Sequence, residues 1–372
     1  MILLFIYIII LLYFIYFIWL IEPFFKKKKP IVKKSSGYPF VSIVVSAKNE
    51  EKNLDLLIDS LLNQEYPKSY YEIIIANDKS IDSTLNKLNE FKKIYNQIIV
   101  VDIQNTPKNW GSKKWALNKC MEISNGDIIL QTDADCRHGR YWISKMMQPF
   151  KNSQIGFVCG PSYIGTESNF WNQILKLESI AQESFTYANS KRKFYLSCTA
   201  RNIAFRKHIF NEIDGYKNIE YIESGDDDLL LHKFVMQTDS KIQYLANEKT
   251  LVSSQAPRSI KSFYLQRLRY ASKGLLYYKL DTPIEVKIIL PILFIANFAC
   301  IISILNFINY QNFIWLIPLI IKGLADIILI NQYMHRIKIN FRILYFLILM
   351  IIHPFYVVII GGLAPIIKVQ WK

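Results

Sequence analysis

Asp133 and Asp135 stand two residues apart in Thr132-Asp133-Ala134-Asp135, directly after the apolar run Asp127-Ile128-Ile129-Leu130-Gln131. The run reads as a buried strand, so both carboxylates fall at its carboxyl end, where ligands bind in an open α/β sheet. Two hard oxygen ligands at this spacing suit Mg²⁺ or Mn²⁺ carrying a diphosphate. Alone, Asp-x-Asp is also a common surface turn. A second acidic group, Gly225-Asp226-Asp227-Asp228, precedes the apolar Leu229-Leu230-Leu231. An N-cap with favourable first-turn charges is one reading of it. Three crowded carboxylates exceed what a cap requires, and mutual repulsion raises at least one pKa, which suits a group that takes a proton.

The elements that must position these groups are short β-branched runs, each followed by a helical pattern: Val41 to Ser46, Tyr71 to Ala76, Gln97 to Val101 and Asp127 to Leu130. This βαβα order predicts a mostly parallel sheet covered on both faces. The first strand ends at Ala47-Lys48-Asn49-Glu50-Glu51 and the second at Asn77-Asp78-Lys79-Ser80. Asn49, Asn77, Asp78 and Ser80 also have the residue types of helix caps. Their convergence with Asp133 and Asp135 on one sheet edge favours a nucleotide pocket over independent caps. A further strand-like segment runs from Lys241 to Ser254.

Both ends of the chain are apolar. Ile2 to Ile21 is long enough to cross a bilayer as a helix of about 20 residues. It is followed by Lys26 to Lys29, Lys33 and Lys34, without the flanks of a signal peptide, so it reads as a retained anchor with the following residues in the cytosol. Three more apolar blocks cover roughly Ile288 to Ile308, Phe313 to Ile330 and Ile343 to Leu363. The basic loop Met334 to Arg342 agrees with a cytosolic position and the uncharged Asn309 to Asn312 with the outer side. Lys368 and Lys372 disagree with four simple spans, and Pro354 and Gly361-Gly362 leave room for a bend. Lys322 and Asp326, one helical turn apart, neutralise one another. Ser259 to Tyr270 mixes basic and aromatic residues as an interfacial helix does.

The formal net charge of +15 attracts anionic lipid headgroups and phosphorylated substrates. The basic residues cluster beside the apolar blocks and form no nucleic-acid motif, which argues against nucleic-acid binding. Cys120, Cys136, Cys159, Cys198 and Cys300 include no Cys-x-x-Cys pair, which fits a reducing compartment and neither structural zinc nor a disulfide framework. Abundant Ile, Lys, Asn and Tyr reflect an AT-rich genome and point to a bacterial inner membrane.

The motif order resembles the family 2 glycosyltransferases, in particular membrane-bound inverting members related to polysaccharide synthases, ceramide glucosyltransferases and carotenoid glycosyltransferases. Five elements carry the resemblance: Ser46-Ala47-Lys48-Asn49-Glu50, Asn77-Asp78-Lys79-Ser80-Ile81-Asp82, Thr132-Asp133-Ala134-Asp135, Gly225-Asp226-Asp227-Asp228 and Gln266-Arg267-Leu268-Arg269-Tyr270. Trp110-Gly111-Ser112-Lys113-Lys114-Trp115-Ala116-Leu117-Asn118 looks like the family's Gly-Lys segment. The resemblance implies a cytosolic, Rossmann-like GT-A domain over about 38–256, with an anchor at 1–22, an interfacial clamp helix at 257–282 and about three further transmembrane helices at 286–367.

It also implies roles. Ala47, Asn49, Glu50 and Asp78 would hold the uridine of a UDP-sugar, and Lys113 would approach the diphosphate. Asp133 would lie near the ribose and sugar, sharing a divalent cation with Asp135, whose charge stabilises the leaving diphosphate. Asp227 matches the catalytic base, with Asp226 and Asp228 as register alternatives. Gln266, Arg269 and Tyr270 would close over the diphosphate; the family usually has Trp where Tyr270 stands. Ser197 to Arg206 resembles an acceptor-side segment, although small residues are commoner where Arg201 stands. The implied reaction is inverting transfer to the hydroxyl of a membrane lipid or lipid-linked glycan. A processive polysaccharide synthase and a non-enzymatic membrane scaffold are the alternatives, and oligomeric state is not legible.

Overall fold

The computed structural model describes residues 1–25, 37–257, 259–364 and 366–367. The lysines at 26–29, 33 and 34, and Lys368 and Lys372, on which the orientation of the two ends was argued, lie outside the described residues. Contacts divide the chain into two units. One comprises the described parts of Pro30–Thr166 and Ser197–Gln255; the other comprises those of Met1–Lys29, Glu167–Leu196 and Ala256–Lys372.

The first unit is α/β. Its strands are β1 (Val41–Ala47), β2 (Tyr71–Asp78), β3 (Ile98–Ile103), β4 (Ile128–Asp133), β5 (Cys136–His138), β6 (Ile155–Cys159), β7 (Ser162–Ile164), β8 (Ile203–Arg206), β9 (Lys241–Tyr244) and β10 (Val252–Ser254). β1, β2 and β4 are buried along nearly their whole length, which is why they read as continuous apolar runs and not as alternating patterns. The large sheet has the order β3-β2-β1-β4-β8-β6-β9. β1 to β4 pair in parallel, as do β6 and β9, while β8 runs antiparallel to both β4 and β6. A second sheet has the order β5-β10-β7.

The winding reverses beside β1: the chain moves out to β2 and β3 on one side, then returns to β4 on the other. Ala47 is in register with Asn77, and Ser46 with Asp133, so three polar strand ends are level where a crevice opens. Apolar residues of β1, β2 and β4 pack with Leu57, Trp142 and Met146 in one core. The expected strand from Lys241 to Ser254 is in fact two strands. Asn247 accepts from the Lys249 N–H and turns the chain through Glu248–Thr250, so β9 and β10 enter different sheets.

Among the described residues, the second unit contains four helices long and apolar enough to cross a membrane: Ile2–Phe25, Ile284–Tyr310, Phe313–Ile337 and Ile343–Leu363. The expected basic loop from Met334 begins later, because the helix continues to Ile337 and turns at Lys338 with φ 54°. The last helix is continuous through Pro354 and Gly361-Gly362. The Ile260–Ala271 helix begins at a capping box formed by Ser259 and Ser262. The Phe170–Ser190 helix, which the sequence boundaries put inside 38–256, belongs to this unit because it packs on Ile317–Ile337 and Ile343–Leu363.

Two ion pairs in this unit have buried members. Lys322 Nζ donates to Asp326 at 2.7 Å, and the Tyr13 hydroxyl donates to the other Asp326 oxygen at 2.6 Å. Glu178 accepts from Arg267 and, at 2.6 Å, from the Tyr356 hydroxyl. Removing one member leaves a charge in apolar surroundings, which costs more than replacing the pair by apolar residues. Asp326→Leu is therefore expected to destabilise the protein by about 3–5 kcal/mol in detergent, and Lys322→Met with Asp326→Leu to recover most of it. Thermal unfolding checks this; a single variant as stable as the parent would make the pair inert.

Candidate active site

The loops after β1 and β2 are stitched together. Asn49 adopts a left-handed conformation (φ 57°), its N–H donates to Ser80 Oγ at 3.0 Å, and its Oδ1 accepts from the Ile81 N–H at 2.9 Å. The Glu50 N–H donates to Thr84 Oγ1 at 2.8 Å. Asn77 Nδ2 donates to Asp102 at 2.7 Å, while its buried Oδ1 has no hydrogen-bond partner among the described residues. The capping alternative does not hold for Asn49, Asn77, Asp78 or Ser80, because the helices here begin after Asn53 and Ser83. Asp78 is buried and receives Ser112 Oγ at 2.7 Å on both carboxylate oxygens.

Ser112 opens the Ser112–Ile123 helix, and the next two residues point elsewhere because helical neighbours are separated by about 100°. Lys113 Nζ lies 2.8 Å from Asp133 and 2.8 Å from Asp226. Burial disfavours its charge, but the two carboxylates outweigh that and hold the ammonium well above its usual value. Lys114 is fully buried and donates to the carbonyl oxygens of Ile219, Ile222 and Ser224. The sequence reading assigned Lys113 but missed Lys114. Its signal was its place on the apolar face, three and seven residues before the buried Leu117 and Met121.

Asp133 ends β4, and Asp135 follows two residues beyond it. Burial, together with the Asp133 charge, pushes the Asp135 carboxyl up to about 6. Burial also raises Glu50 to about 7, against the Asn53 hydrogen bond and with repulsion from Asp135 and Asp133. Among the described residues, no group of three or more His, Cys, Asp and Glu side chains is arranged to hold a metal. Asp133 and Asp135 remain a two-carboxylate set whose repulsion a divalent cation would relieve, and such ions commonly take one or two carboxylates with the rest from substrate and water.

The acidic triplet divides into three environments. Gly225 precedes it with φ 85°, and a Cβ there would lie 2.6 Å from Leu229. Asp226 is buried, bonded to Lys113 and, at 3.0 Å, to Gln131 Nε2. Burial pushes the Asp226 carboxyl up, but the Lys113 charge outweighs it and holds Asp226 below the usual carboxylate range. Asp228 is buried and accepts from the Leu229 N–H. Asp227 is half-buried at the N-cap of the Asp228–Gln237 helix. Its oxygens accept from the Asp228 N–H at 2.7 Å and the Ala200 N–H at 2.9 Å.

The Ser197 to Arg206 segment thus touches Asp227 through Ala200. Its Asn202 is structural: the amide donates to the Pro161 and Thr250 carbonyls and accepts from Trp142 Nε1. Arg201 is buried, with Nε on Ser162 Oγ at 3.2 Å. The structure brings Ala47, Asn49, Glu50, Asp78, Lys113, Asp133, Asp135 and Asp227 into one unit. Gln266, Arg269 and Tyr270 lie on the Ile260–Ala271 helix of the other unit.

Residues 42–214 match the model of glycosyl transferase family 2. Over 136 residues the chain is 34% identical to the beta-monoglucosyldiacylglycerol synthase of Nostoc sp., covering 36% of this chain and 29% of the relative. It is 25% identical over 250 residues to a dolichyl N-acetyl-alpha-D-glucosaminyl phosphate glycosyltransferase of Methanococcus voltae, which uses a 2,3-diacetamido-2,3-dideoxy-beta-D-glucuronosyl group by name; the match covers 64% of this chain and 74% of that one. The match to the Nostoc relative spans less than a third of that protein's length. A mannosyltransferase of Pyrobaculum calidifontis, solved with GDP-Man and Mn²⁺, shares the fold at TM-score 0.59 and 15% identity over 97% of this chain and 95% of its own. Residues 42–214 thus carry a region of the glycosyl transferase family 2 kind, on an α/β fold of the GT-A type.

Proposed function

We propose that this protein is a membrane-bound, inverting glycosyltransferase that moves a sugar from a UDP-sugar to the hydroxyl of a membrane lipid or lipid-linked acceptor. One observation carries the reading: of three consecutive acids, Asp227 alone is only half-buried, in the same unit as the level strand ends bearing Asp78 and Asp133. The names of the Nostoc and Methanococcus relatives support a lipid or lipid-linked acceptor. The four long apolar helices among the described residues support a membrane location; in this reading the membrane is a bacterial inner membrane and the α/β unit is cytosolic.

In this reading Asp78, with Ala47, Asn49 and Glu50, holds the nucleoside, and the unpaired Asn77 Oδ1 is a ready acceptor for a ligand N–H or O–H. The acceptor hydroxyl gives its proton to Asp227 as its oxygen forms a bond to the anomeric carbon. The bond from that carbon to the diphosphate breaks on the opposite face, so the configuration inverts and UDP leaves. Asp226 is not available for this work, because its charge is matched to Lys113. Asp133 and Asp135 fit Mg²⁺ or Mn²⁺, which when bound supplies positive charge to the departing diphosphate. Lys113 orients Asp133 through its hydrogen bond. Gln266, Arg269 and Tyr270 add a diphosphate clamp on the strength of motif order, with Arg269 contributing a permanent charge.

Purified in detergent with UDP-sugars, Mg²⁺ or Mn²⁺ and lipid acceptors, the protein is expected to release UDP. Asp227→Asn is expected to lower kcat by about 10²–10⁴-fold at nearly constant donor KM, the range of a lost general base. Turnover equal to the parent's would sink that assignment. Chelation is expected to abolish release, Mn²⁺ to restore it, and Asp135→Ala to prevent the restoration; activity indifferent to chelator would remove the metal. Mass spectrometry of the lipid product distinguishes one added sugar from a polymer.

A further inference from the structure

The run that leads into the acidic triplet is held by two buried lysines outside the assigned machinery. Lys114 Nζ donates to the carbonyls of Ile219 at 2.7 Å, Ile222 at 2.7 Å and Ser224 at 2.8 Å. Lys233 Nζ, from the helix that follows the triplet, donates to the carbonyls of Ile213 at 2.7 Å, Gly215 at 2.6 Å and Lys217 at 2.9 Å. An ammonium has three N–H donors, and each of these spends all three on the backbone of one short run. Lys233 is itself buried, and burial lowers it to about 8, with Asp214 and Glu220 opposing.

A run without a helix or strand must satisfy its carbonyls in some other way, and side chains that reach several at once also fix their directions. The start of the Ser112–Ile123 helix presses on the same run. The Gly111 N–H donates to the Glu220 carbonyl at 2.7 Å, and a Cβ at Gly111 would lie 2.9 Å from the Ile222 oxygen. The adjacent Lys113 grips the Asp226 carboxylate. One helical turn therefore references both the backbone before the triplet and a side chain within it, while also holding Asp133.

We propose that Lys114 and Lys233 are positioning residues for the reaction: by gathering six carbonyls of the 213–224 run, they fix where Gly225 releases the chain and so where Asp227 stands. This rests on the reading of Asp227 as the base. A displacement of about 1 Å at a reacting group costs about 10²-fold in rate. A role in holding the fold alone would not depend on whether Asp227 can take a proton.

The test uses the full chain in detergent, reading kcat by UDP release and UDP affinity by calorimetry, for Lys114→Met and Lys233→Met in the parent and in Asp227→Asn. Each is expected to lower kcat about 10²-fold in the parent, keep the UDP Kd within about threefold, and lower the Asp227→Asn rate by less than about threefold, because groups acting as a unit are not additive. Parent-like kcat in both lysine variants overturns the proposal. An equal loss in both backgrounds also overturns it and leaves the base reading intact. So does loss of UDP binding in both, since the lysines would then hold the whole unit. Parent-like turnover in Asp227→Asn alone removes the base reading and this proposal with it.

Discussion

Two adjacent ammonium groups at the start of the Ser112–Ile123 helix determine how the acidic groups of the α/β unit are placed. Taking a lysine out of water is costly unless its charge is matched and its donors are used. Lys113 solves this with the carboxylates of Asp133 and Asp226, and Lys114 with three carbonyl oxygens. Each solution constrains its partners as much as the lysine itself. Strand β4, the run before the triplet and the triplet's first acid are consequently tied to one rigid helical turn. Ser112 adds the β2 strand end through Asp78.

This arrangement explains why three consecutive aspartates do three different things. Asp226 is matched by Lys113, Asp228 is buried against the start of its own helix, and Asp227 is left half-buried at the N-cap. Asp135 and Glu50 have no such lysine against them, and burial, with repulsion from nearby carboxylates, raises their pKa values. The local electrostatics thus separates an acid matched by a lysine from carboxylates crowded by like charge.

The helical unit follows the same physics in a more apolar setting. Lys322 and Asp326 sit one turn apart, and Tyr13 brings the first apolar helix to that pair. Glu178 draws Arg267 of the Ile260–Ala271 helix and Tyr356 of the last helix to one point. Polar groups in such surroundings are tolerated only when satisfied, so each network also specifies which helices are neighbours.

Much of this was legible in the chain. Continuous apolar runs ending in polar residues gave β1, β2 and β4, because a strand covered on both faces cannot alternate. Asp133 and Asp135 could be placed at a strand end, and the Lys322–Asp326 pair follows from helical spacing. The tertiary structure decided what depends on residues far apart in sequence. Asp226 is held low because Lys113 meets it across the fold. The Lys241 to Ser254 segment divides because its two halves enter different sheets, and the Phe170–Ser190 helix joins the apolar helices because its buried face packs there. Sequence by itself determined the types of groups and the periodicity that puts them on an edge or a face, since these are local properties of the backbone. Which charge is matched, which is left exposed and which lysine organises a loop were set by three-dimensional neighbours, because electrostatic and desolvation energies depend on distance in space.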